Sequence, residues 1–451
     1  MSFFLFGIGS LFAQNNTLLE RSFWKSNPDL EMVKSAVEKG ANPSELNSNA
    51  FDPAAYAILE QSSMDVIKYL LTFEGNDVNK LTHDLRTYAF WAAYKGNLEL
   101  LNYLLEKGAR TDLKDNKGNS ILNFAANAGV TDTRIYDWCI TNGIDPTNDF
   151  TRKGANAILL VASKKESPML LEYFQSKGVS LFSKDNLGSG VYDYASRAGN
   201  TSLLNDLEKQ GCEPTDRALL FAAQGTRNGA VGVDFFTFLK GKGLNFQVVN
   251  EDDSNLIQIV SRNSNDLDLM TFFMESGVSV NQKNNRGRVA LNEAVRYNNL
   301  DVVNFLISNG ADVQNLDSKE RSIAYDLIGS YSSSREKLFE EKYTVLKKAG
   351  FDFEKPTSDG DNLYHLAIEF DKYDLLLWIQ GLNIDINHTN MAGETPLHLA
   401  VLKSTNTELL HQLIQMGADT SIKTEFGESV YELALENEQL TKDDLNFLKT
   451  K

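Results

Sequence analysis

The chain has 451 residues, 42% of them apolar and 23% charged, with a formal net charge of −17 at pH 7. An acid surplus of that size argues against nucleic acid as the main ligand, because phosphates would be repelled. It argues equally against docking on an anionic membrane surface.

Taken in order, the chain begins with an apolar, uncharged run from Phe3 to Phe12, followed by Ala13-Gln14. This run is too short to span a bilayer as a helix. It is expected to be an export signal over residues 1–14, lacking the usual basic end. From residue 15 onward a unit of two amphipathic helices recurs, each second helix closed by a glycine that can adopt the left-handed conformation. The closing residues are Gly40, Gly75, Gly108, Gly143, Gly178, Gly211, Gly243, Gly277, Gly310, Gly350, Asn383 and Gly417, at intervals of 32 to 40 residues. Asn383 is the expected substitute, since asparagine also visits that region. No Pro/Ser/Gly-rich linker separates the modules. Cys139 and Cys212 fall two modules apart, too far for a disulfide, so both thiols are expected to be unpaired. Two places break the period. A glycine-rich turn, Gln224 to Val233, joins the helices of the seventh module, and the tenth module is lengthened by Gly329-Ser-Tyr-Ser-Ser-Ser-Arg-Glu-Lys337. The stretch from Phe426 to Lys451 reads as a cap, with Thr441 as N-cap of a short last helix.

One module carries the pattern in full. It runs Thr395-Pro396-Leu397-His398, then a second helix with Leu409, Leu410, Leu413 and Ile414, then Gly417-Ala418-Asp419. Thr395 is an N-cap and Pro396 sits at the first helical position, where its missing N–H costs nothing. With the period near 33 residues and the pattern Leu104-Leu105-Glu-Lys-Gly108-Ala109, the chain resembles the ankyrin repeat family. The resemblance implies an all-α repeat fold: a solenoid of paired antiparallel helices with short hairpin loops. It implies twelve repeats over residues 15–425 and a capping repeat over 426–451. His365 and His398 would then be structural bridges between neighbouring repeats.

The resemblance also implies where a partner would bind, on the concave face built from hairpin tips and the exposed ends of the first helices. The residues there include Tyr94, Lys95, Lys164, Arg197, Arg262, Arg296 and Tyr297, with no acid among these positions from the third to the tenth module. Basic and aromatic side chains segregated in so acidic a chain suggest a partner protein with an acidic segment. The insertion around Tyr331 and Arg335 is a second candidate surface.

Signals for chemistry are weak. His83, His388 and His411 lack cysteine or carboxylate partners at metal-ligand spacing. Glu251-Asp252-Asp253 lacks the alternation of a calcium loop, and Gly229-Ala-Val-Gly232 is not a phosphate loop. The expectation is a non-enzymatic, monomeric protein-interaction scaffold without cofactor or metal. It is expected to be periplasmic or secreted in a bacterium, with no membrane insertion once the signal is removed. Two alternatives are a periplasmic protective factor for an enzyme such as a catalase, and a cytoplasmic effector or immunity-type protein.

Overall fold

The computed structural model describes residues 16–164, 167–226 and 229–449. The export-signal reading of residues 1–14 therefore lies outside the described residues. Among those described there are 25 α-helices and six short 3-10 turns. Extended pairing is limited to isolated bridges such as Thr82 with Arg86 and Lys423 with Ser429. The expected all-α repeat architecture is what forms. The chain divides into two compact units, one up to Ala218 and one from Leu219 onward.

In the first unit the helices Pro53–Leu59, Tyr88–Tyr94, Ile121–Ala128, Ala157–Val161 and Val191–Ser196 each pack on the next. Small residues make this possible: Ala54, Ala55 and Ala57, then Ala92 and Ala93, then Ala125 and Ala126, are fully buried. Their short side chains let neighbouring helix backbones approach within the range of a close-packed core. Capping starts the helices. Asp52 accepts from Ala55 N at 2.7 Å, and Pro53 follows at the first position. Asp52 is itself buried, held by Tyr88 Oη at 2.6 Å and Lys80 Nζ at 2.7 Å. The second helices, such as Leu98–Glu106, bury one stripe, here Leu100, Leu101 and Leu104. Cys139 and Cys212 are both buried and unpaired, and burial pushes both thiols above their ordinary range.

In the second unit the same stacking runs through Leu256–Asn263, Ala290–Tyr297, Ile323–Ser330, Leu363–Glu369, Pro396–Lys403 and Val430–Glu436. Hairpin tips are tied backbone to backbone: Asn285 N to Asp252 O at 3.0 Å, Ser318 N to Arg286 O at 2.8 Å, and Met391 N to Asp359 O at 2.8 Å. His365 Nε2 lies 3.0 Å from Glu394 O, and His398 Nδ1 lies 2.8 Å from Thr395 Oγ1. Burial lowers the pKa of both rings, which suits neutral, structural imidazoles. The glycine-rich turn of the seventh module is closed by a bridge between Thr226 and Gly229. A β-carbon on Gly225 would collide with the Gly229 carbonyl, so the glycine content there serves a tight closure.

Across both units each module-ending glycine has φ between +80° and +105°, and Asn383 takes their place with φ of +57°. Two local expectations are corrected. Thr441 does not cap through its side chain; the cap's helix is Val430–Glu436, where Ser429 and Glu432 form a reciprocal capping box. Tyr331, expected on the surface of the tenth-module insertion, is buried and packs edge-on against Phe339 at 5.3 Å. The insertion turns its aromatic ring inward because the long helix Glu336–Lys348 supplies an apolar face for it.

Candidate partner-binding surface

The expected surface residues end the first helices of their modules, and each unit places its own set differently. In the first unit Tyr94 is half-buried, stacked on Phe124 with ring centroids 5.5 Å apart. Lys95 sits beside it, its ammonium 5.9 Å from the Tyr94 ring. The Lys164 stem lies over Gly129, where an added β-carbon would meet its Cγ at 3.1 Å. Arg197 was expected to point into solvent and does not. It is half-buried, and burial pulls its guanidinium below the usual value while Tyr194 beside it acts in the opposite sense.

In the second unit Arg262, Arg296 and Tyr297 come together. They line one cavity of about 380 Å³ with hairpin residues that the sequence reading missed, chiefly Arg286, Arg288 and Arg321. Its five arginines outnumber the three lining acids, Asp252, Glu293 and Asp326. The arginines fall into two groups. Arg288 bonds Glu293 Oε1 through Nε and Asp326 Oδ1 through Nη1, both at 2.9 Å. Burial opposes its charge, but Asp326 and Glu293 outweigh that and raise its pKa further. Arg321 forks onto Asp317 Oδ2 at 2.8 and 2.6 Å. These two have spent their donors within the fold.

The other three have not. Arg262 lies over the exposed Tyr297 ring, its guanidinium carbon 4.1 Å from the centroid, and Glu293 is 3.6 Å from its Nη1. Arg286 is two-thirds exposed and reaches Asp252 only at 3.4 Å. Arg296 sits 4.8 Å above the Phe370 ring, with a long 3.5 Å contact from Nη1 to Tyr325 O. Stacking fixes a guanidinium plane while leaving its edge donors available. The signal that could have found the hairpin members was their own period: Arg288 and Arg321 are 33 residues apart, one repeat.

Arg296 and Tyr297 are held from behind by the tenth-module insertion. Lys342, on the long helix Glu336–Lys348, is buried and donates to Val295 O at 2.8 Å and Ala294 O at 3.4 Å. It thereby satisfies the open Val295 carbonyl at the end of the helix Ala290–Tyr297 and shares the Ala294 carbonyl with the Asn298 N–H. Asparagines do this elsewhere: Asn298 donates to Ser261 O and Ser264 O, and Asn437 to Val401 O and Ser404 O. Burial lowers the Lys342 pKa to about 8, with Arg335 adding to the effect.

Family models for ankyrin repeats match residues 24–115 and 219–317 as three-copy arrays, 89–147 as a many-copy array, and 392–425 as a single repeat. The chain is an ankyrin repeat protein. Among its curated relatives, the ankyrin repeat protein L371 of Acanthamoeba polyphaga mimivirus is 24% identical over 75% of this chain and 47% of its own length. The ankyrin repeat protein FPV031 of fowlpox virus is 29% identical over 29% of this chain and 37% of its own. Phosphocholine transferase AnkX of Legionella pneumophila is 28% identical over 37% of this chain and 17% of its own. The chain thus spans about half or less of the length of these relatives. Among solved structures, a chain in the complex of the Bdellovibrio bacteriovorus endopeptidase Bd0816 with immunity protein Bd3460 is similar at 20% identity. That likeness covers 42% of this chain and 96% of that one, with a TM-score of 0.35. Among the described residues of the ankyrin array, no group of three or more His, Cys, Asp or Glu is placed to hold a metal ion. No described helix is long and apolar enough to cross a membrane.

Proposed function

We propose that this ankyrin array is a non-catalytic scaffold that binds a partner protein through the ends of its first helices and the neighbouring hairpin tips. The observation that carries the reading is the cavity of the second unit, where exposed Arg262 and Arg286 hold only long carboxylate contacts and half-buried Arg296 holds none among the described residues, beside the exposed Tyr297. Arginine and tyrosine are the side chains over-represented at interface hot spots. In a chain of net charge −17, such a face stands out from the acidic remainder and favours an acidic segment of the partner. The partner would be met outside the cytoplasm if residues 1–14 act as an export signal. The test is capture by crosslinking in the native cell, comparing the wild-type chain with Arg262→Glu/Tyr297→Ala. Recovery of one defined protein in near-stoichiometric amount by the wild type, and its loss with the variant, supports the reading. Equal recovery by both chains overturns it.

A further inference from the structure

The tenth-module insertion and the arginine cavity are two features that meet at one residue, Arg296. Its guanidinium lies where a β-carbon on residue 329 would stand. Gly329 belongs to the helix Ile323–Ser330, in the insertion, and its φ is not in the left-handed region. The glycine is therefore not needed for the backbone; it is needed for the space. Phe370 supports the guanidinium on one face at 4.8 Å, and Lys342 closes the end of the helix that carries it. The insertion builds a seat for one arginine and then leaves that arginine without a carboxylate partner among the described residues.

From this we infer that the cavity is a carboxylate-recognition pocket, in which Arg262, Arg286 and Arg296 receive a Glu or Asp side chain of a partner peptide and Gly329 positions Arg296 for it. The inference rests on the scaffold reading above. The cavity's volume, about 380 Å³, is at the low end of ligand pockets, the size for one or two side chains. Its three lining acids leave two arginine charges unbalanced: Asp326 is held by Arg288 and by Asn292 Nδ2 at 2.8 Å, Glu293 by Arg288 with its other oxygen 3.6 Å from Arg262, and Asp252 by Arg286 at 3.4 Å. What remains is net positive, and guanidinium edges match the planar, two-oxygen geometry of a carboxylate. Tyr297, about half exposed, gives the peptide an aromatic wall to lie along, and its ring is already preorganised by Arg262 above it.

Gly329 is a positioning residue, which separates this inference from a purely structural role. The nearest atoms that a methyl group there would meet are those of the Arg296 guanidinium, the far end of a flexible side chain, so the fold can yield by swinging that side chain away. The experiment titrates the full chain with a Glu-rich peptide, its Gln-for-Glu counterpart, a phosphoserine counterpart, and inorganic phosphate alone. Wild type is expected to bind the Glu peptide in a salt-sensitive manner and to ignore the Gln peptide. Arg262→Glu and Arg296→Met are each expected to weaken binding about tenfold or more, the scale of a hot-spot contact. Gly329→Ala is expected to weaken it comparably with no fall in melting temperature. Equal affinity for the Glu and Gln peptides overturns the inference, as does unchanged binding in all three variants. Binding of the phosphoserine peptide or of phosphate, with the Glu peptide silent, overturns the carboxylate assignment. A captured partner together with a silent Glu peptide sinks this inference and leaves the scaffold reading standing. Glu-peptide binding without any captured partner does the reverse.

Discussion

Arg296 and Gly329, one module apart, form a lock in which the guanidinium fills the space a side chain on residue 329 would need. The consequence is a separation of stability from placement. Gly329 lies within a helix, where alanine is favoured over glycine by about 0.5–1 kcal/mol. Gly329→Ala is therefore expected to leave the denaturation midpoint unchanged or slightly raised. Arg296 must move, and the change in its surroundings can be followed by the side-chain NMR signal of its Nε. A large drop in stability would mean that the arginine cannot yield and that the seat is part of the core.

Lys342 gives the second unit a distinctive response to pH. Its pKa is about 8 in the fold against 10.5 when free. The folded pKa is depressed, so between pH 8 and 10.5 the unfolded chain binds more protons and stability rises with pH on account of this group. The rise is on the order of 3 kcal/mol at most, and less with partial solvent screening. Below pH 8 the buried charge is a standing penalty, tolerated because Val295 O and Ala294 O accept from it. Lys342→Met should remove this gain, so the difference in unfolding free energy between wild type and variant should grow across that window. Parallel pH profiles would show that Lys342 titrates as though exposed.

In the first unit, Arg86 is almost fully buried. It donates through Nε and Nη2 to Asp115 Oδ2 at 3.0 and 2.9 Å, and its guanidinium lies 4.2 Å from the Phe124 ring. Removing one partner of a buried pair leaves the other charge without compensation, at about 3–5 kcal/mol. Arg86→Met should cost that much in urea denaturation. Arg110→Met, which removes an exposed pair with Asp112, should leave the midpoint where it was. Equal effects would mean that water reaches Asp115.

Leu413 is fully buried on the helix Glu408–Gln415. Leu413→Ala should cost about 2–5 kcal/mol, the range for a core leucine, measured by chemical denaturation. In a repeat array each module contacts only its neighbours, so the loss should be confined to the second unit's transition. A uniform shift of every probe in the chain would argue for a single cooperative core.

The fold was legible in the sequence because one physical requirement repeats: a residue able to take positive φ after every second helix. Even Asn383, the one substitution for glycine, has the expected conformation. The capping residue Thr395 was legible for a similar reason, as its role is local. The surface was legible only in part. Helix phase put Arg262, Arg296 and Tyr297 at equivalent helix ends, and they line one cavity, but it could not say that Arg197 would be drawn in beside Tyr194, because that depends on packing rather than on period. Arg286, Arg288 and Arg321 were missed because they sit on hairpins, outside the helix-end positions considered. The role of Lys342 was hidden in an insertion, where register with the rest of the array is lost. Only the packing of the helix Glu336–Lys348 places its ammonium on the carbonyls of Ala294 and Val295.

On the proposed reading, the partner seats on the arginine cavity of the second unit. A photo-crosslinking residue placed at Tyr297, and in a second chain at Glu275, tests it most directly. Tyr297 borders the cavity, whereas Glu275 is exposed at the end of the second helix Leu267–Glu275. Irradiation in the native cell, followed by mass spectrometry of the crosslinked peptide, should yield a single partner from position 297, joined through a stretch rich in Asp or Glu, and no such product from position 275. A partner joined at position 275 and absent at 297 would contradict the claim.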